Sequence, residues 1–140
     1  MQKLILDTNV IVSALISSSI PTKILYELVL TKKVDACLSE EVFAEYVEVL
    51  NRDKFANFVN FKTKAEVVLN KMREISSFYR INTKVEVLTD TSDNKFLELA
   101  AVSSADYLVT GNTLDFTITK FEYTRIVTPR EYWDDYALKT

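Results

Sequence analysis

Four carboxylates, Asp7, Glu45, Asp93 and Asp115, each stand beside an apolar segment that reads as regular structure. Brought together by a fold, four acids would repel one another strongly. A divalent cation relieves that repulsion, and hard ions such as Mg²⁺ prefer oxygen ligands. Such an ion also lowers the pKa of water and offsets charge on a phosphoryl group. The pattern therefore predicts metal-assisted cleavage of a phosphodiester. Two absences narrow the alternatives. The chain has no histidine, which removes Ser-His and Cys-His catalysis and any His-ligated zinc site. Its one glycine, Gly111, leaves no phosphate-binding loop and no dinucleotide fingerprint.

A net charge of −3 argues against nonspecific binding of nucleic acid over the whole surface. The distribution is uneven, however. Between Arg52 and Lys84 there are eight cations and three acids, a net +5 that leaves −8 for the remainder. Arg52, Lys54, Lys62 and Lys64 are the candidates here for holding a phosphate backbone. The plainer reading of the same stretch is a solvated helix face.

The elements that must position these groups alternate. Strands are expected over residues 3–6, 34–38, 85–88, 107–109 and 126–127. Helices are expected over 9–16, 21–32, 39–50, 63–79 and 90–104, with a last one opening at Thr128-Pro129-Arg130-Glu131. Pro21 suits a first helical turn, and Ser39 is a good cap for the third helix. Residues 51–61 read as a looser stretch holding Phe55, Phe58 and Phe61. The alternation predicts an α/β fold with a mostly parallel sheet and helices on both faces. Ligands in such sheets gather at the carboxyl ends of the strands. Asp7 follows the first strand, Asp90 and Asp93 follow the third, and Asn112 and Asp115 follow the fourth. Three separate elements thus bring acids to one edge.

The 140 residues, 48% of them hydrophobic, fit one domain spanning 1–140 with a sizeable core. No apolar run is long enough to cross a bilayer, and the N-terminus lacks a signal-peptide pattern. Cys37, within Val34-Asp35-Ala36-Cys37-Leu38, is the only cysteine and is expected as a buried thiol. Together these features predict a cytoplasmic protein with no membrane partner.

The chain resembles a known family in four places. Leu4-Ile5-Leu6-Asp7-Thr8-Asn9-Val10 is similar to the opening of PIN domains. Asp90-Thr91-Ser92-Asp93-Asn94-Lys95-Phe96-Leu97-Glu98-Leu99-Ala100 matches a later family segment. Ala105-Asp106-Tyr107-Leu108-Val109-Thr110-Gly111-Asn112 and Ile126-Val127-Thr128-Pro129-Arg130-Glu131 follow in family order. The nearest resemblance is to bacterial PIN proteins grouped as toxins of toxin–antitoxin pairs, similar to VapC toxins. It implies a three-layer α/β/α PIN-like domain that cleaves RNA with Mg²⁺ or Mn²⁺. It further implies homodimers and inhibition by an antitoxin protein.

Under that resemblance Asp7, Glu45 and Asp93 match the first three family acids. Asn112 stands where many relatives carry aspartate, and Asp115 lies three residues on to supply the missing charge. Asp7, Glu45, Asp93, Asn112 and Asp115 are the implied metal ligands, with the four acids as the catalytic set. Thr8, Asn9, Asn94 and Thr110 would orient the carboxylates from behind. Plainer readings stand beside these roles. Asp7 would cap a helix, Asp93 would favour a helix N-terminus, Glu45 would be solvated, and Asp115 would sit in a loop. Phe55, Phe58 and Phe61 would pack in the core or in a dimer contact rather than stack on bases. Two other functions remain open: a catalytically weak PIN-like module that binds RNA or protein, and a domain that forms an aspartyl-phosphate.

Overall fold

Leu4, Ile5 and Leu6 are wholly apolar, as a strand covered on both faces must be. They lie in β1 (Lys3–Leu6), at the centre of a sheet. The structure, a computed structural model, describes residues 1–85, 93–111 and 118–137. From β1 the chain passes through α1 (Thr8–Ile16) and α2 (Ile20–Lys23), which widens into a π-helical stretch over Ile24–Val29. Then come β2 (Asp35–Leu38), α3 (Glu40–Leu50), a 3₁₀ turn (Asp53–Phe55), α4 (Phe61–Ile75) and β3 (Ser77–Phe78). After the undescribed residues 86–92 follow α5 (Asn94–Ser103), β4 (Tyr107–Val109), β5 (Lys120–Phe121), β6 (Thr124–Val127) and α6 (Pro129–Glu131). The last helix also continues as a π-helical stretch, Tyr132–Tyr136.

Among the described residues the strand order is β3-β2-β1-β4-β6-β5. Every pairing is parallel except the β5–β6 hairpin. The order reverses direction around β1, with β2 on one side and β4 on the other. A crevice opens at such a switch point, beyond the carboxyl ends of the strands. Helices flank the sheet: α1 packs on α3 and α4, and α3 on α5. One continuous apolar core joins the sheet to them, from Leu4 and Ile5 through Val42 and Phe96 to Leu108. Among the described residues no single helix is long and apolar enough to cross a membrane. Cys37 is buried, and that burial pushes its thiol up to about 11, so it stays protonated at neutral pH.

Three expectations need correction. The helix expected over 63–79 stops at Ile75. Ser76 is extended, and Ser77–Phe78 pairs with Cys37–Leu38. The Ser77 hydroxyl donates to the Asp35 carboxylate at 2.9 Å, and the Tyr79 amide donates to the Leu38 carbonyl at 2.8 Å. Those bonds to the edge of β2 outweigh the helical pattern. The helix expected over 21–32 ends at Val29 in its π-helical stretch. Left-handed Lys32 (φ 59°) then turns the chain, and the Lys33 amide bonds the Leu28 carbonyl. The last strand gains a partner, because left-handed Glu122 (φ 51°) closes a hairpin onto β5. The strand expected at 85–88 lies outside the described residues except for Val85.

Candidate functional site

Asp7 leaves β1 in extended conformation and becomes the N-cap of α1. Its amide donates to the Val109 carbonyl at 2.9 Å, which ties the end of β1 to the end of β4. One carboxylate oxygen accepts from the Thr8 amide at 2.8 Å, and the other accepts from the Thr110 hydroxyl at 2.7 Å. The residue is only 6% exposed. A carboxylate so buried holds its charge at a cost unless donors or cations face it. Asp7 is therefore the helix cap of the plainer reading, and its carboxylate is held in one orientation by two donors.

Asp93 stands at the N-cap position of α5, with Asn94 buried behind it. Asp7 and Asp93 line one open cavity of about 380 Å³, together with Thr8, Asn9, Lys54 and Phe55. Asn9 is held in turn, because its side-chain oxygen accepts from the Gly111 amide at 3.2 Å. Thr110 is fully buried and its amide bonds the Val127 carbonyl, so three strands converge behind Asp7. Thr110→Val, which keeps the shape and removes the hydroxyl, is expected to weaken metal affinity or turnover about 10- to 100-fold. Mn²⁺ affinity and steady-state rates of the variant check this; unchanged values would show that Asp7 needs no such support.

Glu45 reaches the same region from α3, but its carboxylate is already engaged. One oxygen accepts from the Thr8 hydroxyl, and the other lies 2.9 Å from the Lys95 ammonium. Sequence reasoning missed Lys95. Its signal was a lysine in the first turn of a helix, where the macrodipole disfavours a cation. Tyr46 on α3 was also missed. It is fully buried and its hydroxyl donates to the Leu6 carbonyl, one residue before Asp7. Burial pushes its phenol well above the ordinary value, and the Asp7 and Glu45 carboxylates add to that. The two acids therefore both act on one buried hydroxyl.

The remaining predicted residues divide. Lys54 lines the acid cavity, while Arg52 and Lys62 line a neighbouring one. Lys64 stands farther off, beside the end of α1 and Tyr26. Asp90, Asn112 and Asp115 lie outside the described residues. Phe55 and Phe61 are buried and stacked at 4.9 Å, as the core reading expected, whereas Phe58 is exposed.

The donor set is all oxygen, which suits a hard cation. Among the described residues, no group of three or more Asp, Glu, Cys or His is gathered closely enough to hold a metal ion. Mg²⁺ does not require one, since it is commonly bound by one or two carboxylates with water and substrate phosphate completing the shell. Asp7 and Asp93 on one cavity supply that minimum, so the residues fit a divalent ion.

Comparison with known proteins agrees with this architecture. Residues 3–114 match the family model described as PIN domain. The chain is 31% identical over 111 residues to the uncharacterized protein MJ1680 of Methanocaldococcus jannaschii, covering 79% of this chain and 70% of that protein. Two solved structures share the fold at low identity. One is VapBC2 from Rickettsia felis bound to a DNA fragment from its promoter, with TM-score 0.58, 16% identity, 91% of this chain and 98% of that one. The other is FitAB bound to an IR36 DNA fragment, with TM-score 0.56, 19% identity, 90% of this chain and 94% of that one.

Proposed function

Because the chain belongs to the PIN-domain family, we propose that it is an Mg²⁺- or Mn²⁺-dependent endoribonuclease and the toxin of a toxin–antitoxin pair. The observation that carries this reading is the pair Asp7 and Asp93 facing one cavity at the switch point of the sheet. The fold neighbours, solved as VapBC2 and FitAB on DNA, support an antitoxin partner by analogy. We extend the same reading to a single domain over the whole chain, a homodimer and a cytoplasmic location.

In this reading Asp7 and Asp93 hold the ion. When bound, it lowers the pKa of water and offsets charge on the phosphoryl oxygens during in-line attack. The Thr8 amide and Thr110 hydroxyl fix the Asp7 carboxylate, so no reorientation is needed when substrate arrives. Lys54, at the cavity wall, offers positive charge to the incoming phosphodiester. Glu45 braces Thr8 and in turn holds Lys95 near the site. Asn112 and Asp115 complete the proposed ligand set.

The Lys95–Glu45 ion pair favours one second reading, a catalytically weak module that binds RNA or protein, because it occupies an acid otherwise available to metal. The aspartyl-phosphate alternative draws no support from the family. Incubating an RNA pool, single-stranded and structured, with the protein in Mg²⁺, Mn²⁺ or EDTA separates the readings. Cleavage that requires the ion supports the ribonuclease. An intact pool that is nevertheless bound supports the module.

A further inference from the structure

We propose that the cavity next to the acids is a nucleobase subsite, which takes one unpaired base of a single-stranded RNA whose backbone crosses Asp7 and Asp93. The inference rests on the ribonuclease reading above and names the form of RNA that the site accepts. The cavity measures about 200 Å³, and its lining includes Asn51, Arg52, Phe55, Phe58, Asn60 and Lys62. Phe55 also lines the acid cavity, so the two spaces share a wall.

The three rings of this segment are used differently. Phe55 and Phe61 stack on each other and are buried, forming a floor. Phe58 tilts against Phe61 at 6.5 Å and is 42% exposed at the cavity. A partly exposed aromatic ring beside cationic side chains suits a nucleobase, since every base has a flat face that stacks on such rings. Asn60 offers a carboxamide, which can both donate to and accept from a base edge, while the Asn51 amide already donates to the Val47 carbonyl at 2.6 Å and leaves its oxygen to accept. Asn60 sits in the left-handed region (φ 60°), a conformation that asparagine tolerates better than most residues.

The charges point the same way. Lys54 lies 5.2 Å over the ring of Phe55, which both cavities share, and lines the acid cavity, so a cation stands on the acid side of the common wall. The phosphate that joins a seated base to the scissile bond would cross there. Arg52 is shared with Glu48 at 2.9 Å, but both side chains are about half exposed, so the pair is weak enough to yield to a phosphate. A base inside a duplex is already paired and stacked and cannot enter such a pocket. The site therefore selects single strands.

The test is fluorescence anisotropy with full-length protein carrying Asp7→Asn in Mg²⁺. Three labelled probes are compared: a short mixed-sequence RNA, the same RNA annealed to its complement, and an abasic ribose-phosphate oligomer of equal length. Adding Phe58→Ala is expected to weaken binding of the single strand about five- to hundredfold and to leave the abasic oligomer unaffected. Asn60→Gly keeps the left-handed backbone and is expected to cost several-fold. Equal affinity with and without Phe58, or equal affinity for base-bearing and abasic strands, would overturn the subsite. So would a Phe58→Ala protein that loses only a dimer in sedimentation, since this face would then be a contact between copies. If wild-type protein cleaves RNA but Phe58 has no effect on binding, the subsite alone fails; if it neither cleaves nor binds RNA, the ribonuclease reading fails with it.

Discussion

Asp7→Asn is expected to lower metal-dependent RNA cleavage about a thousandfold while the protein stays folded. Lewis-acid stabilisation of a phosphoryl transition state is worth several kcal/mol, and each ~1.4 kcal/mol is a factor of ten. The substitution keeps size and one acceptor oxygen. The Thr8 amide can still donate to that oxygen, and the Thr110 hydroxyl can rotate to accept from the new amide. What disappears is the negative charge of a side chain that is nearly buried beside an open cavity. The change should therefore appear in kcat and in metal affinity, with the midpoint of urea unfolding nearly constant. A variant that unfolds far more easily than wild type would assign Asp7 a mainly structural role.

Tyr46 carries the second large effect, and it falls on stability. The side chain is fully buried between α3 and the end of β1. Tyr46→Ala is expected to cost about 3–5 kcal/mol, the usual range for emptying a buried aromatic site. Tyr46→Phe removes only the hydrogen bond to the Leu6 carbonyl and is expected to cost about 1–3 kcal/mol. Domains of this size are stable by roughly 5–15 kcal/mol, so the alanine variant approaches the margin. Urea denaturation with an unchanged m-value measures both costs. Equal costs for the two variants would mean that the ring contributes little and the hydroxyl nearly everything. The phenylalanine variant should also lose some activity, because the Leu6 carbonyl immediately precedes Asp7.

Much of the site was legible in the sequence because buried strands end in polar residues at one edge. Leu4-Ile5-Leu6 is followed by Asp7, and Leu108-Val109 by Thr110, and the two join directly through one hydrogen bond. Parallel pairing of β1 with β4 makes that meeting unavoidable. Other contacts left no local trace. Glu45 and Lys95 are 50 residues apart, and their ion pair exists only once α3 and α5 pack together. The strand Ser77–Phe78 was hidden because its two residues continue an amphipathic helix in pattern. Only the edge of β2, with Asp35 and Leu38, decides otherwise. The β5–β6 hairpin turns at Glu122 without the glycine or asparagine that normally marks such a turn. Phe55, Phe58 and Phe61 share a helical spacing of three, yet the segment is a 3₁₀ turn followed by irregular chain, so Phe58 parts from the other two.

The proposed chemistry requires Asp7 and Asp93 to share one divalent ion. Calorimetric titration of Mn²⁺ into the wild type, Asp7→Asn and Asp93→Asn tests it without any substrate. Wild-type protein is expected to bind Mn²⁺, and either substitution alone is expected to abolish or severely weaken that binding. Wild-type affinity in both variants would contradict it, and would place any metal chemistry of this protein elsewhere.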